Sequence, residues 1–151
     1  MFGIGIHKVR SFFSNQEKGK ILEDIQRAER KTSGEIKVHV ESGSGKDPLL
    51  RAGEVFESLG MTRTALRNGV LIYLAVTEKK FAIIGGQGIN AAVPDDFWEA
   101  TKEKMKQYFQ EGRFADGVCF GITSAGEHLA TYFPRQSDDV NELSNDISEG
   151  N

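Results

Sequence analysis

The chain of 151 residues is expected to form an α/β fold, a three-layer α-β-α sandwich with a small mixed sheet and the element order α-β-α-β-β-α-α. Three observations predict it. Val70 to Val76 run without a polar interruption, as in a strand covered on both faces. Thr77 to Lys80 then make a short polar connection, and Phe81 to Ile84 return as the second arm of an antiparallel hairpin. Upstream, a strand pattern, a helix pattern and the Val70 run follow one another at the spacing of a right-handed crossover between parallel neighbours.

Each element has its own local cause. Met1 to Phe13 mixes glycine with Phe2, Ile4, Ile6, Val9, Phe12 and Phe13 and is read as an irregular segment, 1–13. Ser14 and Glu17 match a capping box, and Ile21, Leu22, Ile25 and Ala28 fall on one face of a helix from about Asn15 to Lys31. After Thr32-Ser33-Gly34, Ile36, Val38 and Val40 alternate with Lys37, His39 and Glu41, which predicts a strand with one dry face. Asp47 before Pro48 caps a second helix, whose apolar stripe is read as Leu49, Leu50, Val55, Phe56 and Leu59 and which stops at Gly60. Gly85-Gly86-Gln87-Gly88 follows the hairpin as a corner, where absent side chains allow positive φ or close backbone approach. A third helix is expected from about Asp96 to Glu111, and a last one from Phe114 until Pro134 ends it. Gly117 and Gly121 inside the last helix point to close packing there. Residues 14–134 thus make one domain, and 135–151 read as a flexible acidic tail.

Composition narrows the function. A formal charge of −3, from 19 basic and 22 acidic residues, gives no general attraction to nucleic acid. No apolar run reaches the roughly 18 to 20 residues of a membrane span. The single cysteine, Cys119, forms no internal disulfide and lies in an apolar helical stripe, which together suit a reducing, cytoplasmic compartment and a core role. The three histidines are scattered, without a zinc spacing.

The site expectation follows from topology. If the first two strands are parallel, their starts lie together and the antiparallel third ends beside them, so Glu35, Asn68 and Gly85, Gly86, Gln87 and Gly88 share one rim. Asp95 and Asp96 open the third helix and Asp116 the fourth. Carboxylates, an amide and a glycine corner that presents main-chain carbonyls are the donors that calcium or magnesium prefers. The competing structural reading is that Asp96 with Glu99 forms a capping box and that acids near helix starts favour the dipole.

Ala28-Glu29, Thr32-Ser33-Gly34-Glu35-Ile36, Asn68-Gly69-Val70-Leu71-Ile72, Ile84-Gly85 with Gly88-Ile89, and Phe114-Ala115-Asp116-Gly117, in this order, resemble the TPM domain family. The resemblance spans about Ser14 to Phe133. It implies a mixed sheet between helices, a divalent-cation site on one sheet edge, and the weak acid phosphatase activity of plant members. It places the family's asparagine-glycine on Asn68 and Gly69, its acidic position after the corner on Asp95 or Asp96, and its last-helix aspartate on Asp116.

Three functions are therefore expected in turn. The first is a regulatory or interaction module binding calcium or magnesium through Glu35, Asn68, Asp95, Asp96 and Asp116, with a protein as its partner. The second is a metal-dependent phosphomonoesterase with Asp96 or Asp116 as the base and Arg67 holding phosphate. The third is a structural interaction domain docking through its phenylalanine-rich start.

Overall fold

The structure, a computed structural model, describes residues 12–64, 66–135 and 147–150. Its elements are α1 (Asn15–Glu29), β1 (Glu35–Glu41), α2 (Pro48–Ser58), a 3-10 turn (Met61–Arg63), β2 (Gly69–Ala75), β3 (Lys80–Gly85), α3 (Gln87–Ala92), α4 (Glu99–Gln110), α5 (Phe114–Tyr132) and β4 (Ser148–Glu149). The strand order is β3-β2-β1-β4: β1 runs parallel to β2 and β4, and β3 is antiparallel to β2. This is the mixed sheet expected, with one strand and one short helix more than the sequence suggested.

Two apolar layers sandwich the sheet. On one face Ile36, Val38, Val40, Val70, Ile72 and Leu74 pack with Ile21, Ile25, Met105, Val118, Ile122 and Leu129 from α1, α4 and α5. On the other, Leu71, Tyr73 and Ala75 meet Ala52, Val55 and Phe56 of α2, with Met61 beneath them. Leu49 and Leu50, expected in that stripe, are instead exposed in the first turn of α2, and Ala52 takes the inward place. β2 is buried along its whole length, as its unbroken apolar run requires.

The helix caps form as their residues dictate. Ser14 and Glu17 exchange reciprocal bonds of 3.1 and 2.8 Å, and the Asp47 carboxylate accepts the Leu49 and Leu50 amides. Asp96 and Glu99, by contrast, do not form the expected box. Trp98 stands at the N-cap of α4 without a side-chain cap, because Pro94 to Trp98 close as turns of main-chain bonds. Glycines set the helix spacing on α5, since a Cβ on Gly121 would lie 2.6 Å from Met105 Sδ and one on Gly126 2.7 Å from Ala28 Cβ.

β1 departs from the alternating expectation, because its polar side is buried as well. Lys37, His39 and Glu41 are all at most 9% exposed. The Glu41 carboxylate accepts Arg51 Nε at 2.9 Å and Nη2 at 3.0 Å, and Tyr73 Oη at 2.6 Å, and lies 3.0 Å from His39 Nε2. His39 stacks on Tyr73 and reaches Ser148 Oγ with Nδ1 at 2.9 Å. Ser148–Glu149 thus leaves the pattern of an unstructured tail. The strand is held on β1 by this contact, by Gly150 N–H to the Val40 carbonyl, and by Lys18 with Glu149 at 3.1 Å.

Candidate functional site: the rim where β1 and β2 begin

The parallel register sets Glu35 opposite Gly69, and the hairpin register sets Val70 opposite Gly85. Glu35, Asn68 and the glycine corner therefore share one rim, as topology predicted. Ile84 lies opposite Leu71, one pair farther into the sheet than Gly85. Asn68 is 2% exposed and donates from Nδ2 to Ser33 Oγ at 3.3 Å. Gly34 allows that approach, since a Cβ there would lie 3.1 Å from the Asn68 carbonyl oxygen and 3.2 Å from Leu129.

Close contact, and not positive φ, explains the corner. Gly86 has φ of −69° at the start of α3, and its N–H donates to the Gly69 carbonyl at 2.9 Å. Gly88 N–H donates to the Arg67 carbonyl at 2.8 Å, and a Cβ on Gly88 would sit 2.2 Å from Leu66 O. Arg67 itself takes φ of 52°, and its Nη1 donates to Gln87 Oε1 at 3.2 Å. The helix α3 follows directly, so Gly88 is helical where a loop was expected.

A residue outside the sequence-predicted ligand set completes the rim. Glu29, the last residue of α1, is 8% exposed, and its Oε2 accepts the Ile36 N–H at 2.9 Å. Burial pushes its carboxyl up to about 7; the Ile36 N–H opposes that rise, the negative Glu35 nearby adds to it, and Arg135 and Lys37 offset part of it. The sequence hints were its place in the Ala28-Glu29 segment of the family pattern and an acid closing an amphipathic helix six residues before Glu35, a position where acids are unfavourable to the dipole.

The remaining candidates separate. Asp95 and Asp96 are exposed on the turn between α3 and α4. Phe97 beside them packs on Tyr132 and His128, and the Phe133 carbonyl just beyond accepts Ser33 N–H at 2.9 Å, so this turn belongs to the same end of the molecule. Asp116 does not. It sits at the opposite end of the sheet, where Phe114 faces Leu74, Val76 and Phe81 across a cleft. There it pairs with Lys20 at 3.1 Å and Arg113 at 3.0 Å, which hold its carboxyl below the usual range. The physical reason is the length of α5: thirteen residues separate Asp116 from Leu129 at the rim, about 20 Å at the helical rise.

Among the described residues no three His, Cys, Asp or Glu side chains converge to hold a metal ion. A cation at the rim would draw on Glu29, Glu35, the Asn68 amide oxygen and main-chain carbonyls, a hard-oxygen set of the kind calcium and magnesium take. Cys119, buried, has its thiol pushed up to about 12 by burial and then by Asp24, and it is a core residue as expected.

The family model for the TPM domain matches residues 7–128. The chain belongs to the TPM domain family. This TPM domain is similar to BA42 from the psychrophilic bacterium Bizionia argentinensis, with 46% identity, a TM-score of 0.89, and coverage of 95% of this chain and 99% of that one. At 18% identity and a TM-score of 0.66, covering 82% of this chain and 80% of that one, it shares the fold of the N-terminal domain of a P. gingivalis protein. The N-terminal domain of a Corynebacterium glutamicum protein also matches in fold, at 17% identity, a TM-score of 0.54, and coverage of 92% of this chain and 80% of that one. No curated protein matches. Among the described residues of the TPM domain, no helix is long and apolar enough to cross a membrane.

The raised Glu29 carboxyl makes a test of the rim without any metal. In the unfolded chain the group ionises near its ordinary value of 4.5, and in the fold near 7. Between those values the unfolded state loses its proton first, so stability falls as pH rises from about 4.5 to about 7. Glu29→Gln keeps an acceptor for Ile36 N–H and removes the charge. The variant is expected to be about 2–3 kcal/mol more stable than the wild type at pH 8 and equal to it at pH 4, as read from urea midpoints. A variant less stable at both pH values would show that the carboxylate is held by favourable partners instead.

Proposed function

We propose that this TPM domain is a divalent-cation-binding module that uses the ion to order a surface for a protein partner. One observation carries the reading: two carboxylates, Glu29 and Glu35, are both buried at the start of the sheet and close enough that the charge of Glu35 raises the carboxyl of Glu29, with buried Asn68 just before β2 on the same rim. Adjacent like charges in a buried site are costly, and calcium or magnesium would offset that cost while accepting the same oxygens. Asp95 and Asp96, exposed on the turn before α4, lie at the same end but do not converge with this pair. Asp116 has no part in the set.

The ion's role is conformational. Glu29 closes α1, Glu35 opens β1 and Asn68 immediately precedes β2, so one cation would tie three elements beside the glycine corner. Leu66, half exposed next to that corner, gives the ordered surface an apolar contact. Binding to the fold alone would also raise stability with ion concentration.

Titration with calcium and with magnesium, followed by amide NMR, tests this. Saturable shifts are expected at Gly34 to Ile36, Asn68, Gly69 and Gly85 to Gly88, with Glu35→Gln weakening them about tenfold or more and Asp116→Asn leaving them unchanged. Rim amides that stay unmoved at millimolar ion would reject the proposal.

A further inference from the structure

The edge of β1 that faces away from β2 is matched side chain by side chain to the four residues that lie on it. Ile147 packs against the apolar cluster of the helical face. Ser148, opposite His39, gives its hydroxyl to Nδ1 at 2.9 Å. Glu149, opposite Val40, meets Lys18 of α1 at 3.1 Å. Gly150 donates its N–H to the Val40 carbonyl at 2.8 Å, in a place where a Cβ would come within 3.2 Å of the His39 ring and 3.5 Å of Glu41 Oε1. Main-chain pairing here covers only two residues of a seven-residue strand. Farther along the same strand the Ile36 N–H is taken by a side chain, that of Glu29.

A sheet edge that pairs main chain with an extended segment and reads its alternate side chains is the general form of strand-addition recognition. We propose that the β1 edge is a strand-docking slot for an extended segment of a partner protein with the pattern apolar, hydroxyl, acidic, glycine, and that Ile147 to Gly150 is this chain's own copy of that pattern, filling the slot in cis. His39 selects the hydroxyl and is fixed by Glu41 and Tyr73 behind it. Lys18 selects the acid. The crowded place beside the imidazole selects glycine. A partner strand that pairs along more of β1 displaces a cis segment held through two residues, in spite of the tethered segment's high local concentration. The inference gives the interaction role proposed above a partner chemistry. It fails independently, because the cation is read at Gly34 to Ile36 and the peptide at His39 to Glu41.

The test uses the full chain carrying Gly150→Val, whose side chain crowds the His39 ring and is expected to unseat the chain's own segment, and a synthetic peptide with the sequence of Asn145 to Asn151. The amides of His39, Val40 and Glu41 are expected to leave their wild-type positions in the variant and to return saturably as peptide is added. Replacing serine by alanine or glycine by valine in the peptide is expected to weaken binding about tenfold each, the effect of one lost good contact. A second variant, Lys18→Glu with Gly150→Val, is expected to reject the acidic peptide and to accept one with lysine in place of the glutamate. Amides that stay unmoved at millimolar peptide would overturn the proposal, as would peptide variants that bind equally well. A wild-type chain that dimerises with concentration through exchanged tails would overturn the assignment to a foreign partner, with a second copy as the occupant.

Discussion

Alanine at Gly88 is expected to lower the free energy of unfolding by about 3 kcal/mol or more, at or beyond the upper end of ordinary overpacking. The atoms in the way are not flexible side-chain ends. The added Cβ would lie 2.2 Å from the Leu66 carbonyl oxygen and 2.9 Å from that of Arg67, both main chain. Relief requires α3 to lift from the loop before β2, which also breaks the Gly88 N–H bond to Arg67 and moves the residue next to Asn68. The same substitution at Gly19 in α1 or Gly53 in α2, where a Cβ meets nothing within 4 Å, is expected to stabilise by about 0.5–1 kcal/mol. Urea unfolding of the three variants gives the contrast in sign. A Gly88→Ala protein as stable as the wild type would mean that the corner is not packed as described.

Glu41→Ala is expected to cost about 3–5 kcal/mol, because it leaves Arg51, Tyr73 and His39 without their shared buried acceptor. For a chain of this size that corresponds to a melting temperature lower by roughly 10 °C or more. Burial alone would push this carboxyl up, yet the hydrogen bonds from Arg51, Tyr73 and His39 hold it at about 2. Its folded value is thus depressed below the unfolded one. The stability it supplies is present above pH 4.5 and is lost as pH falls from there toward 2, so the wild type should lose its advantage over Glu41→Ala across that window. Arg51 also bonds the exposed Glu54, where solvent screens the pair, and Glu54→Ala is expected to leave stability nearly unchanged. Thermal melts of both variants at pH 7 and pH 3 check the pair. A Glu41→Ala protein within 1 kcal/mol of the wild type at pH 7 would show that the network contributes little.

The elements with strong local causes were legible. The Val70 run, the Ser14 capping box, the Asp47-Pro48 start and the glycines of α5 each name their own environment, and the parallel crossover then put Glu35 beside Asn68. What local pattern could not show was where a long helix begins in space. Asp116 opens α5 just as Asp95 and Asp96 come before α4, but α5 starts one sheet-length away from the rim, and nothing in the spacing of its residues says so. The buried polar side of β1 was hidden for another reason. Alternation of Lys37, His39 and Glu41 with valine and isoleucine reads as a wet face, and only the cover given by α2, Arg51 and Ser148 makes it dry. Glu29 was missed because its role depends on a hydrogen bond to Ile36 across the turn that follows α1.

Manganese, as a paramagnetic stand-in for magnesium, tests the location of the site most directly. At substoichiometric Mn²⁺ the amides of Gly34 to Ile36, Asn68 and Gly69 are expected to broaden first, while those of Arg113 to Asp116 keep their intensity. Broadening that begins at Asp116, with the rim amides untouched, would contradict the account.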